Sequence, residues 1–222
     1  MAVVDHGKAI GFRVHFQGVA SVGGWRCPGT FSPLAGITKH AVMDDAFLIR
    51  QTLAGQQDAF RLLVLRHQRG LFRFLALLGF PSAVVEELSQ EAFLRAYRHL
   101  TDFDEGRGRF STWLFTLARN LATNEAAKPR HRLEAACDTL AVEIDGAPDP
   151  LAQAESNERH SHLLAALAAL PESLRSALLL SRVEGLPIED VAIVQGCAVG
   201  TVKSRIFRAR EQLRAALREE PI

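Results

Sequence analysis

The segment from Leu186 to Leu217 constrains the fold most, because its apolar residues follow two helical periods that a glycine separates. Pro187 suits the first turn of a helix, and Gly196-Cys197 marks a tight turn after the first period. In the second period the apolar residues recur at steps of three or four positions: Val199, Val202, Ile206, Ala209 and Leu213. The segment therefore predicts two short helices joined by a turn, of which the second is basic.

A basic second helix after such a turn is typical of a helix-turn-helix, whose second helix enters a DNA major groove. If the apolar residues anchor this helix to a core, four side chains point away from it: Lys203, Ser204, Phe207 and Arg208. The alternative is a charged terminal helix that is simply solvated. An exposed phenylalanine among basic residues favours DNA binding over this alternative.

The rest of the chain also favours helices, because Leu and Ala dominate and helical spacing recurs. We therefore predict an all-α protein. An apolar run of about twenty residues is absent from the sequence, so we expect no membrane insertion. The three cysteines (Cys27, Cys137 and Cys197) lack metal-ligand spacing, and the eight histidines are scattered. We accordingly predict no catalytic residue, no metal site and no cofactor.

Charge divides the chain into two basic parts and an acidic strip between them. The net charge is only +1, but residues 133–158 contain seven acidic residues and neither Lys nor Arg. With Gly146, Pro148 and Pro150 and no clear helical period, this strip is predicted to be a flexible acidic linker. It would join two small helical domains at residues 43–132 and 159–222.

Residues 1–42 differ in composition from everything that follows. They contain seven of the sixteen glycines and no sustained period, which is typical of loop or disordered segments. We expect a disordered or non-native N-terminal extension, with Met43 as the natural start. A regulatory tail is the alternative.

Three ordered strings resemble one protein family. Val199 to Glu211, Val-Gly-Thr-Val-Lys-Ser-Arg-Ile-Phe-Arg-Ala-Arg-Glu, resembles the promoter-reading helix in region 4 of bacterial sigma factors of the extracytoplasmic-function (ECF) group, the minimal relatives of sigma-70. Glu-Glu-Leu-Ser-Gln-Glu-Ala-Phe-Leu-Arg-Ala-Tyr-Arg, at 86–98, resembles sigma region 2.2. Phe-Ser-Thr-Trp-Leu-Phe-Thr-Leu-Ala-Arg-Asn, at 110–120, resembles regions 2.3 and 2.4. The strings occur in the order that the family requires.

The resemblance implies a sigma factor that binds core RNA polymerase and directs promoter-specific transcription initiation. Region 4 would read the −35 element. Lys203 and Arg208 would then donate to guanine edges, Ser204 to either base type, and Phe207 would contact a thymine methyl group. The residues expected to hold phosphates are Thr201, Arg205 and Arg210.

Region 2 would bind the polymerase and open the −10 element. By resemblance, the β′ clamp helices contact region 2.2, for which the candidates are Glu87, Gln90, Glu91 and Phe93. Opened DNA exposes bases for stacking while basic side chains hold phosphates. The −10 candidates are Arg107, Arg109, Trp113, Arg119, Asn120, Lys128 and Arg130. For Trp113 the alternative is a place in the apolar core.

The family also implies contact with the β flap of the polymerase, binding to promoter DNA, an anti-sigma factor as a partner, and a cytoplasmic location. The alternative function is a stand-alone helix-turn-helix regulator that does not act through core polymerase. An enzyme is the third class, and it is disfavoured because no histidine pairs with acids or cysteines at triad spacing.

Overall fold

The structure is a computed structural model that describes residues 44–128 and 150–218 and, in the second range, the side chains from His160 onward. Within these ranges the regular structure is entirely helical, which confirms the predicted fold class. The helices are α1 Asp45–Leu53, α2 Gln57–Leu77, α3 Ser82–Arg98, α4 Phe110–Ala126, α5 Pro150–Ala169, α6 Glu172–Leu178, α7 Ile188–Gln195 and α8 Val199–Arg218. None of the described helices is long and apolar enough to cross a membrane.

Helices α1 to α4 form the N-terminal bundle around aromatic and leucine side chains. Asp44 begins α1 by accepting a hydrogen bond from the Phe47 backbone N–H at 2.8 Å, and the turn to α2 contains Gly55, whose φ is +93°. Phe74 of α2 is fully buried and meets Phe115 of α4 edge to face, with 5.4 Å between ring centroids. This contact joins α2 to α4 in the centre of the bundle.

Helices α5 to α8 form the C-terminal bundle. Val191 of α7 and Val202 and Ala209 of α8 have no exposed surface, so the predicted apolar stripe of the second helix does face the core. Gly196 ends α7 in the left-handed conformation, with φ of +60°, and thereby turns the chain into α8. After α6 the chain continues as a π-helical segment, Leu179–Val183, before the turn to α7.

The two bundles pack against each other within one compact unit, chiefly through α4 and α7. The sequence predicts two domains on a flexible tether and does not predict this packing. Surface periodicity shows that a helix has an apolar face, but it does not show which other helix covers that face.

One helix begins within a segment that the sequence predicts as linker. Helix α5 begins at Pro150, inside the predicted linker 133–158. Proline interrupts helices, but its fixed φ also suits the first position of a helix, so Pro150 is compatible with a helix start. The rest of that linker, residues 1–42 and the −10 candidate Arg130 lie outside the described residues.

Candidate nucleic-acid and polymerase interfaces

The outer face of α8 presents the four residues that the sequence selected for base contact: Lys203, Ser204, Phe207 and Arg208, all of which are exposed. Phe207 is 65% exposed, although burying a phenylalanine side chain stabilises a fold by roughly 1.5–3 kcal/mol. Val202 and Ile206, on the opposite face, are buried. The helix is therefore anchored on one side and offers an apolar side chain flanked by two cations on the other.

The predicted phosphate contacts are not equivalent in the structure. Thr201 and Arg210 are exposed, whereas Arg205 is only partly exposed. Its guanidinium turns back toward the helix-turn-helix turn and donates to Gln195 Oε1 at 2.7 Å. The same nitrogen lies 3.5 Å from Cys197 Sγ. Arg205 thus has a structural contact in addition to any phosphate contact.

Gln195 connects three helices, a role that the sequence motifs do not predict. It is 7% exposed, and its Nε2 donates to the Ser173 carbonyl oxygen of α6 at 3.0 Å. With its oxygen accepting from Arg205, this one amide links α6, α7 and α8. A signal for it exists in the sequence, because position 195 continues the buried stripe of Val191 at i+4. A polar side chain on such a stripe needs partners.

We expect Gln195→Leu to weaken binding to a −35 duplex by about five- to tenfold, or ~1 kcal/mol. The substitution removes the hydrogen bond from Arg205, which orients α8, and the hydrogen bond to Ser173 of α6. Fluorescence anisotropy with the full chain measures this. Gln195→Glu keeps an acceptor for Arg205 and is the matched control that should retain most of the affinity. Equal losses in the two variants would show that the Arg205 contact does not orient the helix.

The −10 candidates lie on α4 and on the loop before it. Arg107 and Arg109 extend from that loop with side chains 88% and 71% exposed. Asn120 is also exposed, on the middle of α4. Trp113 is half-buried and packs against Phe103 and Phe110, with ring centroids 5.4 Å and 6.0 Å away. Its indole is thus held by an aromatic cluster while part of it faces solvent.

Two other −10 candidates face acidic groups of the protein. Lys128 forms an ion pair with the buried carboxylate of Glu125, one turn earlier in the chain. Arg119 is 19% exposed, and its Nε lies 3.8 Å from Glu172 Oε1 of the C-terminal bundle. The sequence placed Arg119 on the outer face of α4. The structure instead puts it on the side that the C-terminal bundle partly covers.

The region 2.2 candidates divide into a surface group and a buried residue. Glu87 and Gln90 are exposed on α3, and Glu91 is partly exposed and pairs with Arg95 Nε at 2.7 Å. Phe93 is only 4% exposed. Its ring packs in the core of the N-terminal bundle beneath the exposed residues of α3, and its contact with the polymerase stays a prediction.

No group of three or more His, Cys, Asp or Glu side chains that could hold a metal ion occurs in the described parts of the chain. A polar cavity of about 350 Å³ lies between the bundles, lined by residues that include Arg73, Arg109, Glu184 and Asp190. Its walls carry opposite charges on opposite bundles.

Two protein-family models match the chain. The model of Sigma-70 region 2 matches residues 63–132, and the model of Sigma-70, region 4 matches residues 161–213. The first match contains the α3 and α4 candidates, and the second contains α7 and α8 as far as residue 213. The three candidate surfaces described above therefore lie within matched regions.

Relatives match over most of the chain. The ECF RNA polymerase sigma-E factor of Escherichia coli strain K12 is 36% identical over 179 residues, which cover 77% of this chain and 93% of that protein. The RNA polymerase sigma-H factor of Pseudomonas aeruginosa is 36% identical over 181 residues, covering 78% and 93%.

Solved structures match as well. The structure of CnrH in complex with the cytosolic domain of CnrY has a TM-score of 0.61 at 28% identity and covers 80% of this chain and 99% of that one. The sigma factor RpoE of Bartonella quintana, solved with the anti-sigma factor NepR, has a TM-score of 0.57 at 27% identity and covers 73% and 98%.

Proposed function

Because this chain belongs to the ECF group of the sigma-70 family and directs promoter-specific transcription initiation with core RNA polymerase, we propose which of its residues carry each contact. Its function is not enzymatic. The presence of both region 2 and region 4 separates it from a stand-alone helix-turn-helix regulator. We assign region 2 to residues 43–132, the acidic linker to residues 133–158 and region 4 to residues 159–222.

The −35 element is read by the exposed face of α8. The observation that carries this assignment is the exposure of Phe207 between Lys203 and Arg208 on an otherwise anchored helix. Lys203 and Arg208 donate to guanine edges, Ser204 to either base type, and Phe207 contacts a thymine methyl group. Thr201, Arg205 and Arg210 hold phosphates and thereby fix the register of the helix.

The −10 element is held by α4 and its preceding loop. Arg107, Arg109 and Arg119 bind phosphates of the opened strand, and Asn120 contributes hydrogen bonds. Trp113 offers its exposed part for base stacking, which contributes roughly 1–3 kcal/mol per base in single-strand binding proteins. The packing of Trp113 against Phe103 and Phe110 supports this role, because an indole ring that is already held in one orientation loses little conformational entropy when a base stacks on it. Lys128 and Arg130 are proposed to bind further phosphates of the same strand.

The core polymerase binds α3 at the polar face formed by Glu87, Gln90 and Glu91, with Phe93 packed beneath them. Its β′ clamp helices are the proposed contact. Region 4 contacts the β flap. An anti-sigma factor is a further proposed partner, because the RpoE neighbour was solved in complex with one. We place the protein in the cytoplasm, where the polymerase acts.

The function is tested by run-off transcription with purified core polymerase on genomic fragments, with and without the full chain, followed by sequencing of the transcript starts. We expect discrete new starts that share −35 and −10 motifs. Sequence-specific DNA binding by the protein without any new start would contradict sigma activity.

We expect Glu87→Lys to weaken binding to core polymerase by about fivefold, or ~1 kcal/mol, because charge reversal at the edge of a contact replaces attraction with repulsion. Surface plasmon resonance with immobilised core enzyme measures the change. Glu86→Lys is the control, since Glu86 is also exposed and adjacent but points about 100° away around α3. Equal losses in both variants would indicate a general charge effect and would contradict the assigned face.

A further inference from the structure

Three arginines of the N-terminal bundle face three carboxylates of the C-terminal bundle. Arg73 Nε lies 2.9 Å from Glu184 Oε1, Arg119 Nε 3.8 Å from Glu172 Oε1, and Arg109 Nε 4.0 Å from Asp190 Oδ2. Every cation of the set comes from the first bundle and every anion from the second. The N-terminal bundle is therefore the positive side of this contact and the C-terminal bundle the negative side, as protein and DNA are in a protein–DNA contact.

The pair of Arg73 and Glu184 is the closest of the three and the most buried on its acidic side. The Glu184 side chain is 6% exposed, and Arg73 also donates to the Val183 carbonyl oxygen at 3.0 Å. Glu184 approaches α2 at Gly70, where a Cβ atom would lie 2.5 Å from its carboxylate. Burial raises the pKa of Glu184 above its ordinary value, although the hydrogen bond and charge of Arg73 oppose this rise.

The other two pairs are incomplete. The Arg109–Asp190 and Arg119–Glu172 distances are too long for hydrogen bonds. Among the described residues Arg119 Nε, which is buried, finds no hydrogen-bond partner. An anion within hydrogen-bonding distance would stabilise the Arg119 guanidinium more than the Glu172 carboxylate does at 3.8 Å. Arg109 and Arg119 are also two of the arginines assigned above to −10 phosphates.

We propose that the acidic face formed by Glu172, Glu184 and Asp190 is an interaction surface for the −10 arginines of the same chain, so that the packed bundles and −10 DNA compete for Arg109 and Arg119. The Arg73–Glu184 pair holds the bundles together, and the other two carboxylates stand in place of phosphates. This inference rests on the proposed assignment of Arg109 and Arg119 to −10 phosphates.

Promoter geometry requires the packed bundles to separate. The −35 and −10 elements lie about 25 base pairs apart, which is roughly 85 Å along B-form DNA at about 3.4 Å per pair. Helix α4, which carries the −10 surface, packs directly on α7 of the helix-turn-helix. The packed form therefore does not read both elements at once, and binding to the promoter must expose the arginines that the acidic face covers.

The test uses Arg73→Ala in the full chain. It leaves the buried Glu184 carboxylate without its cation, and an uncompensated buried charge strongly disfavours the packed form. We expect a larger radius of gyration in small-angle scattering and about fivefold tighter binding to a single-stranded −10 oligonucleotide without polymerase. Loss of a positive charge by itself weakens DNA binding. A gain in affinity is therefore diagnostic.

Controls separate the competing explanations. Arg61→Ala removes the same charge from another exposed position of α2 and should neither expand the chain nor tighten DNA binding. Adding Glu184→Gln to Arg73→Ala removes the buried charge and should return both measurements toward those of the unaltered chain. The pair of substitutions Glu172→Gln and Asp190→Asn should tighten −10 binding without affecting Arg73, and it remains informative if Arg73→Ala does not fold.

Two results would overturn the inference. One is expansion of Arg73→Ala with unchanged −10 affinity, and the other is no expansion at all. Failure of the −10 assignment gives a different result, because Arg109→Gln and Arg119→Gln, added to the opened Arg73→Ala chain, would then leave −10 binding unchanged. If Arg109→Gln and Arg119→Gln lower −10 binding while Arg73→Ala does not raise it, the −10 assignment of these arginines stands, and competition between the acidic face and DNA is refuted.

Discussion

Replacing Arg208 with alanine is expected to reduce discrimination between a matched −35 duplex and a scrambled one by about 1–3 kcal/mol, or roughly 5- to 150-fold. The reason is geometric. Arg208 is exposed on α8 beside Phe207, on the face opposite the buried Val202 and Ile206, so its guanidinium can donate to two acceptors of one guanine. Competition binding at fixed salt with both duplexes measures the discrimination.

The control for this variant is Arg182→Ala, which removes an exposed arginine of the C-terminal bundle that is not on α8. Both variants lose one positive charge, so both should weaken binding to the scrambled duplex to a similar small extent. Arg208→Ala alone should lose discrimination. If it weakens binding to the two duplexes equally, Arg208 holds a phosphate and does not read a base.

Replacing Phe74 with alanine is expected to lower the free energy of unfolding by about 3–5 kcal/mol, the range typical of large buried aromatic side chains. Phe74 has no exposed surface and packs edge to face on Phe115. Its removal takes away the apolar contact and leaves a cavity between α2 and α4. Chemical denaturation of the full chain, followed by circular dichroism, measures the loss.

Leu65→Ala on the same helix is the matched control, because Leu65 is 50% exposed and its truncation leaves no internal cavity. It should change the free energy of unfolding by less than about 0.5 kcal/mol. Because α4 carries the −10 candidates, Phe74→Ala should also abolish promoter opening at temperatures at which Leu65→Ala remains active. A small loss of stability in Phe74→Ala would mean that the bundle core repacks around the cavity.

The exposure predicted from residue spacing agrees best with the structure on helices that bury one face. On α8 the spacing of Val202, Ile206 and Ala209 predicts which side chains are exposed, and all four base-contact candidates are. On α3 the same argument identifies Glu87 and Gln90 as surface residues. It does not identify Phe93 as buried, because the motif that suggested a polymerase contact contains both surface and core residues.

Residue spacing alone predicts the helical class, the helix-turn-helix with its turn at Gly196, and the exposed face of α8, because each depends on side chains a few positions apart on one helix. Three contacts become visible only in the folded chain: Gln195 accepts from Arg205, Arg119 faces Glu172, and Arg73 pairs with a buried Glu184. These contacts join residues 10, 53 and 111 positions apart in the sequence. Helical periodicity reports which residues share a face, whereas the partner of that face depends on how distant helices pack.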